Sequence, residues 1–169
     1  MQKFNRLNTW IDDVYCMYEY NEAMKYFFRR YKFGKDILLA AVFRQSIYNT
    51  IKKLRRTTKK ENIPIVPIPM HPHNIQMRTF SHVDELLEQA NISYIHLLSK
   101  ITTETQSSKN REQRLNTKKL FEINCQQHLT TVLLFDDIKT TGTTLLLAEQ
   151  QLKEAGIKNV IKVVLAAVL

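Results

Sequence analysis

The chain has 169 residues, 44% of them hydrophobic, and its 25 Lys and Arg against 16 Asp and Glu leave a formal net charge of +9 at pH 7. That length suits one domain able to bury about two-thirds of its unfolded surface, and three glycines and four prolines exclude a low-complexity tail. The charge favours anionic partners such as a nucleotide, pyrophosphate or nucleic acid.

No apolar run approaches the roughly 20 residues that span a bilayer, so no membrane insertion is expected. Residues 1–13 lack the apolar core of a signal peptide, which makes the cytoplasm the expected location. The two cysteines, Cys16 and Cys125, form no Cys-x-x-Cys pair, and the five histidines are scattered. A tetrahedral zinc site wants four ligands, usually in close pairs, so no zinc is expected and both thiols read as reduced.

In chain order, residues 20–31 read as a helix with Ala23, Met24, Phe27, Phe28 and Tyr31 on one side. A break over 32–36 carries Gly34. A second helix is expected over 37–55, with Leu38, Ala41, Ile47 and Ile51 in its buried stripe. Its end is followed by a dense basic cluster, Lys52, Lys53, Arg55, Arg56, Lys59 and Lys60. A solvated helix end, where cations suit the dipole, accounts for such a cluster. A nucleic-acid surface is the alternative, although only Tyr48 stands nearby to stack on bases.

Residues 64–70 form an apolar strand whose Pro67 and Pro69 should make its pairing irregular or short. Ser81 is placed to cap a helix whose core face is Val83, Leu86, Leu87 and Ala90. A strand follows over 92–98. Residues 102–117 are polar and charged without an apolar period, which in a compact domain marks a disordered or functional loop. Short strands are expected over 121–124 and 132–135, a helix over 145–155 with Gly156 at its C-terminal cap, and a last strand over 159–169. Alternating strands and helices predict an α/β fold with a doubly wound, mostly parallel sheet. The first two helices form an added layer, so that 1–60 is an N-terminal helical part and 61–169 the α/β core of a single domain.

The most informative run is Val132-Leu133-Leu134-Phe135-Asp136-Asp137-Ile138-Lys139-Thr140-Thr141-Gly142-Thr143-Thr144-Leu145. A buried strand ends in two carboxylates, and a loop of small hydroxyl residues opens into a helix. Strand ends in open α/β sheets are where ligands bind. Amides at a helix N-terminus with threonine hydroxyls beside them make a phosphate cradle. Carboxylates accept from vicinal hydroxyls or approach magnesium. A phosphate, a diol and a metal together describe a ribose phosphate. The rival reading, a Walker B strand, needs a Gly-x-x-x-x-Gly-Lys-Ser/Thr loop. The single Gly34-Lys35 pair has Arg29 in place of the first glycine and Asp36 after it, so the ATPase reading fails.

This segment resembles the 5-phosphoribosyl 1-pyrophosphate (PRPP) motif of type I phosphoribosyltransferases. The whole chain is similar to the ComF-type family, phosphoribosyltransferase-like proteins of bacterial DNA uptake. Three further blocks carry that narrower resemblance: Tyr20-Asn21-Glu22-Ala23-Met24 through Tyr31-Lys32-Phe33; Ile65-Val66-Pro67-Ile68-Pro69-Met70-His71-Pro72; and Gln106 with Arg114, Asn116 and Phe121. Two departures stand out. Arg78-Thr79-Phe80-Ser81 replaces the family's usual Arg-Gly-Phe-Asn, and the family's cysteine-rich zinc knuckle is not among these 169 residues, so it is expected either to have been lost or to lie outside this chain.

The resemblance implies pentosyl transfer from PRPP with magnesium. Asp136 and Asp137 would bind the ribose hydroxyls as the catalytic pair, and Thr140, Thr141, Gly142, Thr143 and Thr144 the 5′-phosphate. Lys139 belongs to the motif or simply faces solvent. Met70, His71 and Arg78 fall in the pyrophosphate loop, where Arg78 can grip phosphate oxygens in bidentate fashion and His71 and His73 make a poor chelate. Lys109, Arg111 and Arg114 fall in the flexible hood that closes over the departing pyrophosphate. The expected partners are PRPP or a nucleoside monophosphate, single-stranded DNA, and the DNA-translocating helicase of competence. The alternative is a non-catalytic accessory that binds single-stranded DNA and keeps the ribose-phosphate site only to hold a ligand.

Overall fold

The computed structural model describes residues 3–58, 62–71, 75–76, 79–101, 120–124 and 128–169. A five-stranded sheet runs β1 (Arg6–Ile11), β2 (Val14–Glu19), β7 (Asn159–Ala167), β6 (Thr131–Lys139), β3 (Ile65–Pro67) in spatial order. All neighbours are parallel except β1 and β2, which form an antiparallel hairpin. A second, two-stranded ribbon pairs β4 (Leu98–Lys100) with β5 (Phe121–Ile123). The expected α/β fold with a mostly parallel sheet is therefore the observed one.

One face of the sheet carries α1 (Glu22–Phe33), a 3-10 helix (Ile37–Phe43), α2 (Arg44–Thr57) and α3 (His82–Gln89), packed on Tyr15, Met17, Leu133, Phe135 and Leu165. The other carries α4 (Thr143–Glu154) and the β4–β5 ribbon, packed on Cys16, Val66, Val132, Leu134 and Val164. Alternation along β6 serves both cores, since successive side chains point to opposite faces. Each fully buried branched side chain there is worth about 1.5–3 kcal/mol. Phe27 and Phe43 meet edge to face at 4.8 Å and join α1 to the 3-10 helix. Among the described residues no helix is long and apolar enough to cross a membrane.

Local chemistry explains where the elements begin and end. The Asn21 side chain accepts from Met24 N at 3.1 Å and caps α1, and Ser81 does the same for α3 through Asp84 N. Met24, Phe27, Phe28 and Tyr31 of α1 are buried as expected, as are Val83, Leu86, Leu87 and Ala90. The prolines shorten β3 to three residues. The Ile68 amide still donates to Phe135 O at 2.8 Å, but Pro69 has no amide to continue the ladder. Gly156, at φ +97°, follows α4 as expected.

Four expectations are corrected. The single helix over 37–55 is a 3-10 segment followed by α2, because Ala40 and Phe43, spaced by three, are the residues that go inside. The same spacing leaves Leu38 77% exposed and outside the core stripe. The strand expected over 92–98 begins only at Leu98 and pairs with β5 off the main sheet. Its approach runs beside β3 with one bond, Ile95 N to Ile65 O. The N-terminal part is not purely helical either, since it supplies β1 and β2. Their turn is made by Asp12 and Asp13 at φ +48° and +60°, a left-handed pair that is usually signalled by glycine.

Candidate functional site

Strand β6 is flanked on both sides and buried along most of its length, and it runs past the expected end at Phe135 to Lys139. Asp136 and Asp137 lie on it at 8% and 5% exposure. The pleat sends them opposite ways. Asp137 follows Leu133 and Phe135 toward the helical layer, and its Oδ2 lies 2.5 Å from Lys32 Nζ of α1 and 2.9 Å from His82 Nε2 of α3. Asp136 follows Val132 and Leu134 and accepts from the Asp137 amide at 2.8 Å.

The two carboxyls are pushed apart in acidity. Burial, then the charge of Asp137, raise Asp136 above the usual carboxylate range, against the opposing pull of Lys32 and Lys100. Burial acts the same way on Asp137, but Lys32 and His82 outweigh it and hold that group below the usual range. Asp137 is therefore the more acidic of the two, and Asp136 the one that gives up its proton less readily. The Tyr31 hydroxyl donates to the His82 carbonyl at 2.7 Å, so α1 and α3 are tied together behind the pair.

Beside the carboxyls is a cavity of about 350 Å³, of the size that takes a sugar phosphate. Asp136, Asp137, Thr140 and Thr144 line it from the motif, Met70 and His71 from the loop after β3, and Tyr20, Lys32, His82 and Lys100 from elsewhere. The turn into α4 is built by Gly142 at φ +81°, and the Thr141 hydroxyl accepts from Thr143 N at 3.4 Å in place of the missing cap side chain. The first amides of α4 have no partner within the helix.

Not every expected residue enters the cavity. Thr141, Gly142 and Thr143 shape the turn without lining it. Lys139 neither lines it nor faces solvent: its side chain is buried and its Nζ pairs with Asp12 Oδ2 at 3.0 Å. Arg78, Lys109, Arg111, Arg114, Lys59 and Lys60 lie outside the described residues, as do His73 and Cys125. Cys16 is buried in the core, which pushes its thiol up to about 11. The sequence reading missed Lys32, His82, Lys100 and Tyr20 as site residues. A lysine in a last helical turn reads as a dipole partner, and only the Tyr31-Lys32-Phe33 block singled it out. His82, one residue past a cap, gave no signal.

No protein-family model matches the chain. Competence protein ComFC of Streptococcus pneumoniae (strain ATCC BAA-255 / R6) is 39% identical to it over 146 residues, which is 86% of this chain and 64% of that protein. The chain belongs to the ComFC competence-protein family. Competence protein ComFC of Bacillus subtilis (strain 168) is 30% identical over 141 residues, 83% of this chain and 58% of that relative. The chain thus spans about three-fifths of the length of these family members. A hypoxanthine phosphoribosyltransferase from Staphylococcus aureus is 18% identical, with 73% of this chain and 64% of that one covered and a TM-score of 0.35, a likeness too slight to bear on the fold.

Proposed function

We propose that this protein binds a 5-phosphoribosyl ligand, PRPP with magnesium or a nucleoside 5′-monophosphate, and serves DNA uptake during competence in the cytoplasm beside the translocating helicase. The observation that carries the reading is the convergence on one cavity of Asp136, Asp137, Thr140 and Thr144 at the two ends of the turn into α4, and the Met70–His71 loop. The relatives' names support the competence role. A phosphate would lie on the α4 amides and the Thr140 and Thr144 hydroxyls. The ribose hydroxyls would reach Asp136, and Lys100 and Lys32 would offset the charge of a diphosphate.

The donor set suits magnesium only as an ion carried in by the ligand. Among the described residues no three His, Cys, Asp or Glu gather as a chelate, and Asp137 is committed to Lys32 and His82. One carboxyl plus ligand phosphates is a usual arrangement for that ion, which when bound would neutralise the departing pyrophosphate. Release of pyrophosphate from PRPP on addition of a base would distinguish transfer from ligand holding.

Asp136→Asn is the cleanest test, because it keeps shape and spares the Asp137 ion pairs. Affinity for ribose 5-phosphate is expected to fall about tenfold, in keeping with the loss of a hydrogen bond from a ribose hydroxyl worth about 1–1.5 kcal/mol. Inorganic phosphate should bind as before or better, since asparagine places no negative charge beside the anion. A parallel fall for both ligands in calorimetric titrations would make Asp136 a structural support of the loop.

A further inference from the structure

We infer that Lys139 is a positioning residue of the ribose-phosphate site, held beneath the phosphate turn by Asp12 of the β1–β2 hairpin. Lys139 is the last residue of β6, and its carbonyl accepts from Val168 N at 2.9 Å. Its side chain is 7% exposed and does not line the cavity. A buried ammonium is costly unless it is paired. Its partner is Asp12 Oδ2 at 3.0 Å, on a side chain that is itself 81% exposed. This is not an ordinary surface pair, in which both ends can turn to water. The lysine depends on the aspartate, and the aspartate does not depend on the lysine.

The Lys139 stem folds back under the turn that follows it. A Cβ placed on Gly142 would find one atom within 4 Å among the described residues, and that atom is Lys139 Cε. Little else holds the turn. Gly142 has no side chain with which to cap α4. Inside the turn, the Thr141 hydroxyl bonds Thr143 N at 3.4 Å and the Thr143 hydroxyl at 2.9 Å. Leu7 and Ile11 of β1 share a hydrophobic cluster with Leu145 in the first turn of α4, so the hairpin belongs to the layer that carries this turn. With its backbone fixed on β7 and its ammonium fixed at Asp12, Lys139 gives the turn a floor. The hairpin thereby sets the shape of the phosphate site without touching the ligand.

Shape and charge make opposite predictions for Asp12→Asn. Asparagine keeps the left-handed backbone of position 12, at φ +48°, but releases a buried ammonium, which leaves for water and takes the stem with it. Ribose 5-phosphate and inorganic phosphate should then both bind about twofold to thirtyfold more weakly in calorimetric titrations, the range for residues that act on a site through a neighbour. Lys139→Met keeps most of the stem and needs no partner. Added to Asp12→Asn, it should recover most of the lost affinity, whereas Lys139→Ala, which removes the stem, should not. Tighter phosphate binding by Asp12→Asn would overturn the inference, because the ammonium would then act by its charge. A double variant no better than Asp12→Asn alone would overturn it too. These titrations rest on the ribose-phosphate reading, and a second measurement does not. In amide magnetic resonance spectra without ligand, Asp12→Asn should shift Gly142, Thr143 and Thr144, and in the Lys139→Met background it should shift the hairpin alone. Shifted turn amides in a protein that binds neither ligand would support the positioning role and count against the ribose-phosphate reading. Turn amides that stay in place would overturn the positioning role whatever the titrations give.

Discussion

Lys32→Met is expected to cost about 3–5 kcal/mol of folding stability, the usual consequence of removing one partner of a buried ion pair. For a domain of this size that is a fall in melting temperature of roughly 6–20 °C. Methionine keeps most of the apolar stem that packs beside Phe28, where Lys32 Nζ lies 4.8 Å from the ring centre, so the loss is electrostatic. Asp137, 5% exposed, would retain only His82. Ribose-phosphate binding should fall as well, because the cavity loses a cation. Adding Asp137→Leu to Lys32→Met should restore much of the stability, since well-packed apolar pairs replace buried ion pairs at little cost. Binding should stay lost. A Lys32→Met protein that melts with the parent in a thermal scan would assign the whole support of Asp137 to His82.

Gly142→Val should weaken ribose 5-phosphate binding at least tenfold while the domain stays folded. The turn holds Gly142 at φ +81° and ψ −1°, a left-handed conformation that costs an ordinary L residue about 1–2 kcal/mol and a β-branched one more. Space is not the obstacle. A Cβ would meet only Lys139 Cε, at an ordinary 3.5 Å. Valine would therefore act on the backbone, turning the Thr140 to Thr144 hydroxyls and the first α4 amides away from a common phosphate. Gly142→Asn should do least harm, because asparagine tolerates the left-handed region. Calorimetric titration of the two variants reads the difference, and equal affinities would remove the turn from phosphate binding.

The parts of the fold legible in the sequence are those whose signals are local. Strand β6, helix α4 and strand β7 each follow from an apolar run with its own punctuation, and the cap Ser81 stands where its side chain can reach back to an amide. The hairpin escaped because two aspartates make its turn without a glycine. The 3-10 helix escaped because seven apolar and small residues in a row, Ile37–Phe43, give no period until packing selects Ala40 and Phe43. The site divides in the same way. Asp136, Asp137, Thr140 and Thr144 fall within one stretch of nine residues and are legible together. Lys32 and His82 are separated from Asp137 by more than fifty residues, and only the packing of α1 and α3 on the same sheet face brings them to it.

The most direct measurement is a calorimetric titration of the protein with PRPP, with and without magnesium. Saturable binding that strengthens when magnesium is added, and that Gly142→Val weakens, is the result expected of a cavity that receives a diphosphate with its own ion. A folded protein that gives no saturable heat with PRPP up to millimolar concentration, in either condition, would contradict the ribose-phosphate account.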